Sequence, residues 1–249
     1  MKITVQCSDC ELQELDYFFE FELTDENTIL PVECTNGHKN AIILPQQKFE
    51  LLFEMGLRAL EDGYTREAAF NFATALERFH EYCVKVMSNV TECQDSGAFF
   101  DAEEFNSEFQ KTWKEMSRQS ERQYGAFMIL YLVAFKRKPT LIPSDCISFR
   151  NDVTHKGIFP KEEAVIKYGK FVFDYISEKY MELNRQFPKG IAAINKIDTD
   201  NFITSFNGGT LLHWKETAAF AIMDDEFIHK TFEEARLSSK KLNMSRVKA

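Results

Sequence analysis

After Pro45 the apolar residues of this chain stop alternating and begin to recur every third or fourth position, a change from strand to helix periodicity. Phe49, Leu52, Phe53, Gly56, Ala59 and Leu60 form one stripe, closed by Asp62-Gly63. Ala69, Phe72, Leu76, Phe79, Cys83 and Val86 form the next, with Thr65 placed to cap it, so the pair reads as a helical hairpin. Phe105, Phe109, Trp113 and Met116 mark a third helix. Tyr124 to Phe135 is almost continuously apolar and is expected at the centre of the fold. Ser144 is placed to cap a short helix to about Lys156, ended by Gly157. Pro160 then opens a long helix to about Asn184, with Ala164, Val165, Tyr168, Phe171, Val172, Tyr175 and Ile176 on its buried face. The expectation is a mainly α-helical bundle over residues 47–185. Residues 186–249 read as a broken linker followed, from Leu211, by a helical C-terminal extension.

The first 46 residues have a different character. LDYFFEFEL, TILPVEC and NAIIL read as strands, and they separate two cysteine-bearing knuckles, CSDC at Cys7 and Cys10 and CTNGH at Cys34 and His38. Three thiolates and one imidazole are a tetrahedral ligand set that suits Zn2+. Asn36-Gly37 permits the left-handed turn that aims Cys34 and His38 at one centre. This segment resembles a small zinc ribbon, with His38 where a fourth cysteine would be usual. A four-ligand site is closed, so the zinc is expected to be structural and to take no part in catalysis. Cys83, Cys93 and Cys146 lack ligand-spaced partners and read as small buried apolar residues.

Composition narrows the function. With 44% hydrophobic and 28% charged residues the chain has an ordinary globular balance. Its longest apolar run, Ala126 to Phe135, is far shorter than the roughly 20 residues that span a membrane. The start, MKITVQCSDC, has no secretory pattern, so a cytoplasmic location without membrane attachment is expected. The net charge is −9, but nine acids against Lys2 and Lys39 put most of it within residues 1–46. Two basic stretches remain, Lys136 to Lys156 and the last 14 residues. The acidic ribbon is therefore expected to meet a protein, and the basic stretches could meet a phosphate backbone.

FRNDVTHKGIFP, at the end of the short helix, holds the candidate chemistry. Asn151 and His155 are four apart and share a helix face, with Arg150 beside them. The helix C-terminus favours a protonated His155, and Arg150 offers a fork of donors to a phosphate without a metal. Read as structure alone, the same residues would have Arg150 paired with an acid of the bundle and His155 capping the helix. His80, His213 and His229 have no such pattern and read as core or surface residues.

RNDVTH, followed by Lys-Gly and a long amphipathic helix, resembles the signature of the HEPN family, and EDGYTREAAFNFATALERFHEYC resembles that family's first helices. The resemblance covers roughly residues 47–185. It implies a homodimer in which two motifs form one composite site, as in the metal-independent endoribonucleases of toxin and antiviral-defence systems. Arg150 would then bind the scissile phosphate, Asn151 would orient it or support the site, and His155 would transfer a proton as the RNA 2'-OH attacks. Some HEPN-like domains are not nucleases, so a zinc-containing interaction, dimerisation or sensor protein is the alternative.

Overall fold

The computed structural model describes residues 2–11, 18–22, 29–34, 36–43, 47–88, 102–116, 119–195, 211–213, 220, 222–223, 226–227 and 231–246. Cys93, His229 and residues 196–210 of the expected linker lie outside the described residues. The described chain is mainly helical, with a small two-stranded antiparallel sheet near the N-terminus.

That sheet pairs β1 (Lys2–Gln6) with β2 (Phe18–Glu22), Lys2 opposite Glu22 and Gln6 opposite Phe18. A single helical turn, α1 (Ser8–Glu11), follows β1. The hairpin of β3 (Ile29–Glu33) and β4 (Lys39–Ile43) turns through Cys34 to His38, where Gly37 has φ +80. Only glycine adopts that conformation without penalty. A third strand, β5 (Leu211–His213), adds to β4 in parallel, with Ala41 opposite Leu211 and Ile43 opposite His213. Parallel neighbours need a long crossover, and here the whole helical bundle is the crossover.

The bundle begins with the expected hairpin of α2 (Lys48–Glu61) and α3 (Thr65–Met87), with Gly63 at φ +79 in the turn. Next come α4 (Ala102–Met116), α5 (Ser120–Phe135), α6 (Ser144–His155), α7 (Glu162–Gln186) and the short α8 (Pro188–Asn195). The helix starts differ slightly from expectation. Tyr64, Pro143 and Lys161 occupy the capping positions, so Thr65 and Ser144 are the first helical residues and Pro160 lies outside its helix.

The centre is α3 against α7, not α5. Small residues on α3 (Ala68, Ala69, Ala73, Ala75) let its neighbours come close, and Phe72 and Phe79 fill the space with Val172, Phe173 and Ile176 of α7. From α5 only Gln123, Phe127 and Tyr131, at helical spacing, are buried. A run that is apolar on every side does not say which side is covered, and here Ile129, Leu132 and Val133 stay exposed. Polar ties hold α5 to α7: the Tyr131 hydroxyl donates to Glu182 at 2.5 Å, and Arg137 pairs with the same carboxylate at 2.6 Å. The fully buried Lys179 completes this group, with Nζ 3.2 Å from Glu182.

The segment after α7 contributes to the core. Among the described residues from Leu211, the chain has short strands, β5, then β6 (Ile222–Met223) paired with β7 (Glu226–Phe227), before the helix α9 (Phe232–Arg246). Phe220 packs on Phe53 and Phe173 with ring centroids 4.8 and 5.3 Å away. Phe232 is fully buried against Phe53, Phe72 and Phe173. Arg236 pairs with Glu61 at 2.8 Å, and Ser239 donates to the buried Glu54 at 3.1 Å. No helix of the described residues is long and apolar enough to cross a membrane.

Candidate functional site

Cys7 and Cys10 flank and occupy α1, so the turn of that helix carries both thiols to one side. Cys34 and His38 close the β3–β4 turn, held by the Gly37 amide donating to the Cys34 carbonyl at 2.8 Å and the Cys34 amide donating to the His38 carbonyl at 3.1 Å. All four ligand atoms lie within 4.8 Å of one another. A tetrahedral zinc with bonds of about 2.3 Å to sulfur and about 2.0–2.1 Å to nitrogen sets sulfurs about 3.8 Å apart and sulfur about 3.6 Å from nitrogen. Cys10 Sγ and Cys34 Sγ are 3.7 Å apart, and His38 Nδ1 lies 3.8, 3.3 and 3.6 Å from the sulfurs of Cys7, Cys10 and Cys34. The cluster therefore fits, and it could hold a metal such as zinc.

Side-chain amides reach two of the sulfurs. The three cysteines are buried, and two asparagine amides point at sulfur: Asn36 at Cys10, 3.5 Å away, and Asn40 at Cys7, 3.6 Å away. Burial pushes the Cys10 thiol up to about 11. At Cys34 burial pulls the same way, but backbone hydrogen bonds from His38 and Asn36 outweigh it and bring that thiol down to about 7. Both asparagines lie within CTNGHKN, where their role as donors could have been read from their closeness to the ligands.

The second site is at the end of α6. Arg150 Nη1 donates to Asn151 Oδ1 at 3.0 Å, and Nη2 forms an ion pair with Glu77 of α3. His155, the last residue of α6, is exposed and forms no hydrogen bond or ion pair among the described residues. Asp152 turns away from Arg150 and pairs with Lys156 at 2.7 Å, while its carbonyl accepts from the amides of Lys156 and Ile158. Gly157, at φ +67, makes this chain reversal possible. The structure thus joins Arg150 to Asn151 and presents His155 separately, one turn further on.

Arg150 and Asn151 open onto a cleft of about 210 Å³ between α3, α5, α6 and α7. Leu76, Tyr124, Ile147 and His80 form its apolar wall, with Glu77 and Glu121 among its polar groups. His80 is a core residue, its Nε2 3.2 Å from the Tyr175 hydroxyl. Burial pushes it down to about 3, so it lines the cleft as a neutral ring. Sequence reading missed Glu77 and the cleft, because Glu77 meets Arg150 only through the packing of α3 on α6.

Several bases of the two stretches are neutralised by neighbours. Arg137, Arg150, Lys156 and Arg236 are paired with Glu182, Glu77, Asp152 and Glu61. Lys136 and Lys138 are exposed and unpaired among the described residues. Exposed apolar side chains occur on the elements that form the site and beside them: Ile129 and Val133 on α5, Leu141 and Ile147 before and within α6, and Ile158 and Phe159 after it. Phe159 is 82% exposed.

Fold and sites together define a mainly helical protein with a buried Cys3His cluster near its N-terminus. Comparison of the chain with protein-family models, with curated proteins and with solved structures finds no match.

Proposed function

We propose that the chain is a HEPN-like, metal-independent endoribonuclease that acts as a homodimer, with a structural zinc in its N-terminal module. The observation that carries this reading is the pairing of Arg150 and Asn151 at the mouth of a cleft, with an exposed, unpaired His155 one helical turn away. Arg150 grips the phosphate through its fork of donors, and Asn151 fixes the guanidinium. The RNA 2'-OH attacks phosphorus and gives up its proton to a base, while the 5'-oxygen leaves and takes a proton from an acid; His155 from each of two chains fills these roles. The products are a 2',3'-cyclic phosphate and a 5'-hydroxyl. The exposed apolar residues around α6 support pairing of two chains there, since such patches commonly mark interaction sites.

The zinc does no chemistry in this reading. Cys7, Cys10, Cys34 and His38 hold it and so hold the module together, and the acidic residues 1–46 meet a protein partner, since that charge repels RNA. RNA crosslinks that map chiefly to residues 1–46 would contradict that assignment. The test of the main proposal is cleavage of RNA by the purified chain without added metal. The expected result is cyclic-phosphate ends, lost in a His155→Ala variant that remains folded and dimeric; equal cleavage by the variant would reject the proposal.

One observation favours a second reading. Arg150 is already partnered by Glu77, as expected if the motif only locks α6 onto α3 in a non-catalytic interaction or sensor protein. A chain that cuts no RNA, yet captures a protein through residues 1–46, would support it.

A further inference from the structure

The cleft beside Arg150 has the wrong size and lining for most ligands. At about 210 Å³ it is smaller than the roughly 300–1,000 Å³ of pockets for drug-sized molecules, a volume on the scale of a single base. Its walls are largely apolar and aromatic, with Leu76, Ile147, Tyr124 and the neutral His80 among them. Its polar groups include three that can accept, Glu77, Glu121 and the amide of Asn151, beside the hydroxyl-bearing Ser120 and Tyr168. Arg150, the group assigned to a phosphate, is in the same lining. Single-stranded RNA is read in this way, with an unstacked base between aromatic or apolar side chains and its edge hydrogen-bonded.

Resting on the ribonuclease reading, we propose that this cleft is the specificity subsite, taking the single unstacked base next to the phosphate held by Arg150. The ion pair between Arg150 and Glu77 supplies the selectivity. When Arg150 turns to the phosphate, Glu77 loses its cation, and N–H donors on the edge of the base restore its hydrogen bonding, an amino group best of all. Adenine, cytosine and guanine carry an exocyclic amino group with two N–H donors, whereas uracil offers one ring N–H between two carbonyl oxygens that a carboxylate repels. The subsite therefore favours the first three over uracil. Glu121, in the first turn of α5, adds a second acceptor on the same lining.

The experiment uses the full chain carrying His155→Ala, so that RNA is not consumed. Short oligouridine strands with one central adenine, cytosine, guanine, uracil or abasic position are titrated by fluorescence anisotropy at fixed salt. Strands with an amino-bearing base are expected to bind about tenfold more tightly than the uracil or abasic strand, the scale of one hydrogen bond to a charged group. Ile147→Trp, which fills the cleft from its half-exposed wall, should erase that preference. Glu121→Gln, an exposed change that leaves packing intact, should reduce it. Equal binding of all five strands, no binding of any, or a preference that survives Ile147→Trp overturns the proposal. Cleavage by the wild-type chain, measured in parallel, separates the two ideas. Cleavage without base preference removes only the subsite, whereas base preference without cleavage removes only the nuclease.

Discussion

Arg150 of α6 and Glu77 of α3 form an ion pair although 73 residues separate them in the chain. Both side chains keep about a quarter of their surface exposed, 23% and 27%, so solvent screens the pair and its net contribution to stability is about 0–1 kcal/mol. Its larger effect is on availability, because a guanidinium held by a carboxylate is not free to hold a phosphate.

Glu77→Gln should release it. Binding of a uridine-only strand, which has no amino group for Glu77 to accept, is expected to tighten several-fold, with a steeper dependence on salt. The chemical denaturation midpoint should move by less than the equivalent of about 1 kcal/mol. Anisotropy titrations at two salt concentrations check the first expectation. Unchanged binding would mean that Arg150 serves only to join α6 to α3.

The Cys3His cluster makes a prediction about stoichiometry and pH. The chain should carry one zinc, and Cys34→Ser should lose it together with the ordered β3–β4 turn. Zinc ligands bind deprotonated, so protons compete with the metal and affinity falls as pH falls. Asn40→Ala removes the amide that points at Cys7 and should leave the stoichiometry at one while weakening affinity roughly 10–100-fold, as loss of a supporting hydrogen bond commonly does. Competition with a colorimetric chelator measures both. An Asn40→Ala protein that holds zinc as tightly as the wild type would show that the amide tunes nothing.

What the sequence made legible follows the range of each interaction. The Cys3His cluster was legible because each knuckle is local, its members three residues apart in CSDC and four in CTNGH, and the α2–α3 hairpin because both stripes and Gly63 lie in one stretch. The place of α5 was not, since Ala126 to Phe135 is apolar all round and only packing decides that Phe127 and Tyr131 go in while Ile129 and Val133 stay out. Strand β5 was hidden for a related reason. LLH is too short to show alternation, and it becomes a strand only by adding to β4 from the far end of the chain. At the candidate site the residues on one helical turn were readable, but the acid that holds Arg150 was not, because nothing in the sequence near Glu77 names its partner.

Phe72 gives a packing prediction with a built-in contrast. Gly56 of α2 and Gly169 of α7 both press on its ring, and a Cβ added at either would come within 2.6 or 2.7 Å of it. At Gly169 the same Cβ would also meet Phe232 at 2.9 Å, so α9 would have to shift. Gly169→Ala should therefore destabilise by about 1–3 kcal/mol, the usual cost of overpacking a dense core. Gly125 of α5 has nothing within 4 Å of such an atom, and there Gly125→Ala should stabilise by roughly 0.5–1 kcal/mol, because glycine is a poor helix former. Urea denaturation of the two variants checks the opposite signs. If Gly169→Ala stabilises as well, α7 and α9 do not meet at Phe72.

Glu50, in the first turn of α2, gives stability a downward slope on the alkaline side. Burial pushes its carboxyl up to about 8 from an ordinary 4.5, against a backbone hydrogen bond at Gln47 that pulls it down. The folded chain therefore keeps a proton that the unfolded chain has given up. Its contribution is fully present below about 4.5 and is lost as pH rises to about 8. His80 works in the opposite sense. Burial pushes it down to about 3 from 6.5, so its contribution is present above 6.5 and is lost as pH falls toward 3. Between pH 6.5 and 8 the His80 contribution is nearly complete and the lowered Cys34 thiol pulls stability upward with pH, so a decline in stability there belongs to Glu50. Glu50→Gln keeps the size and the hydrogen bonding of a protonated carboxyl but cannot ionise. The variant is expected to lose at least half of the wild-type fall in urea midpoint between these two pH values. A fall of equal steepness in both proteins would place the titrating group elsewhere.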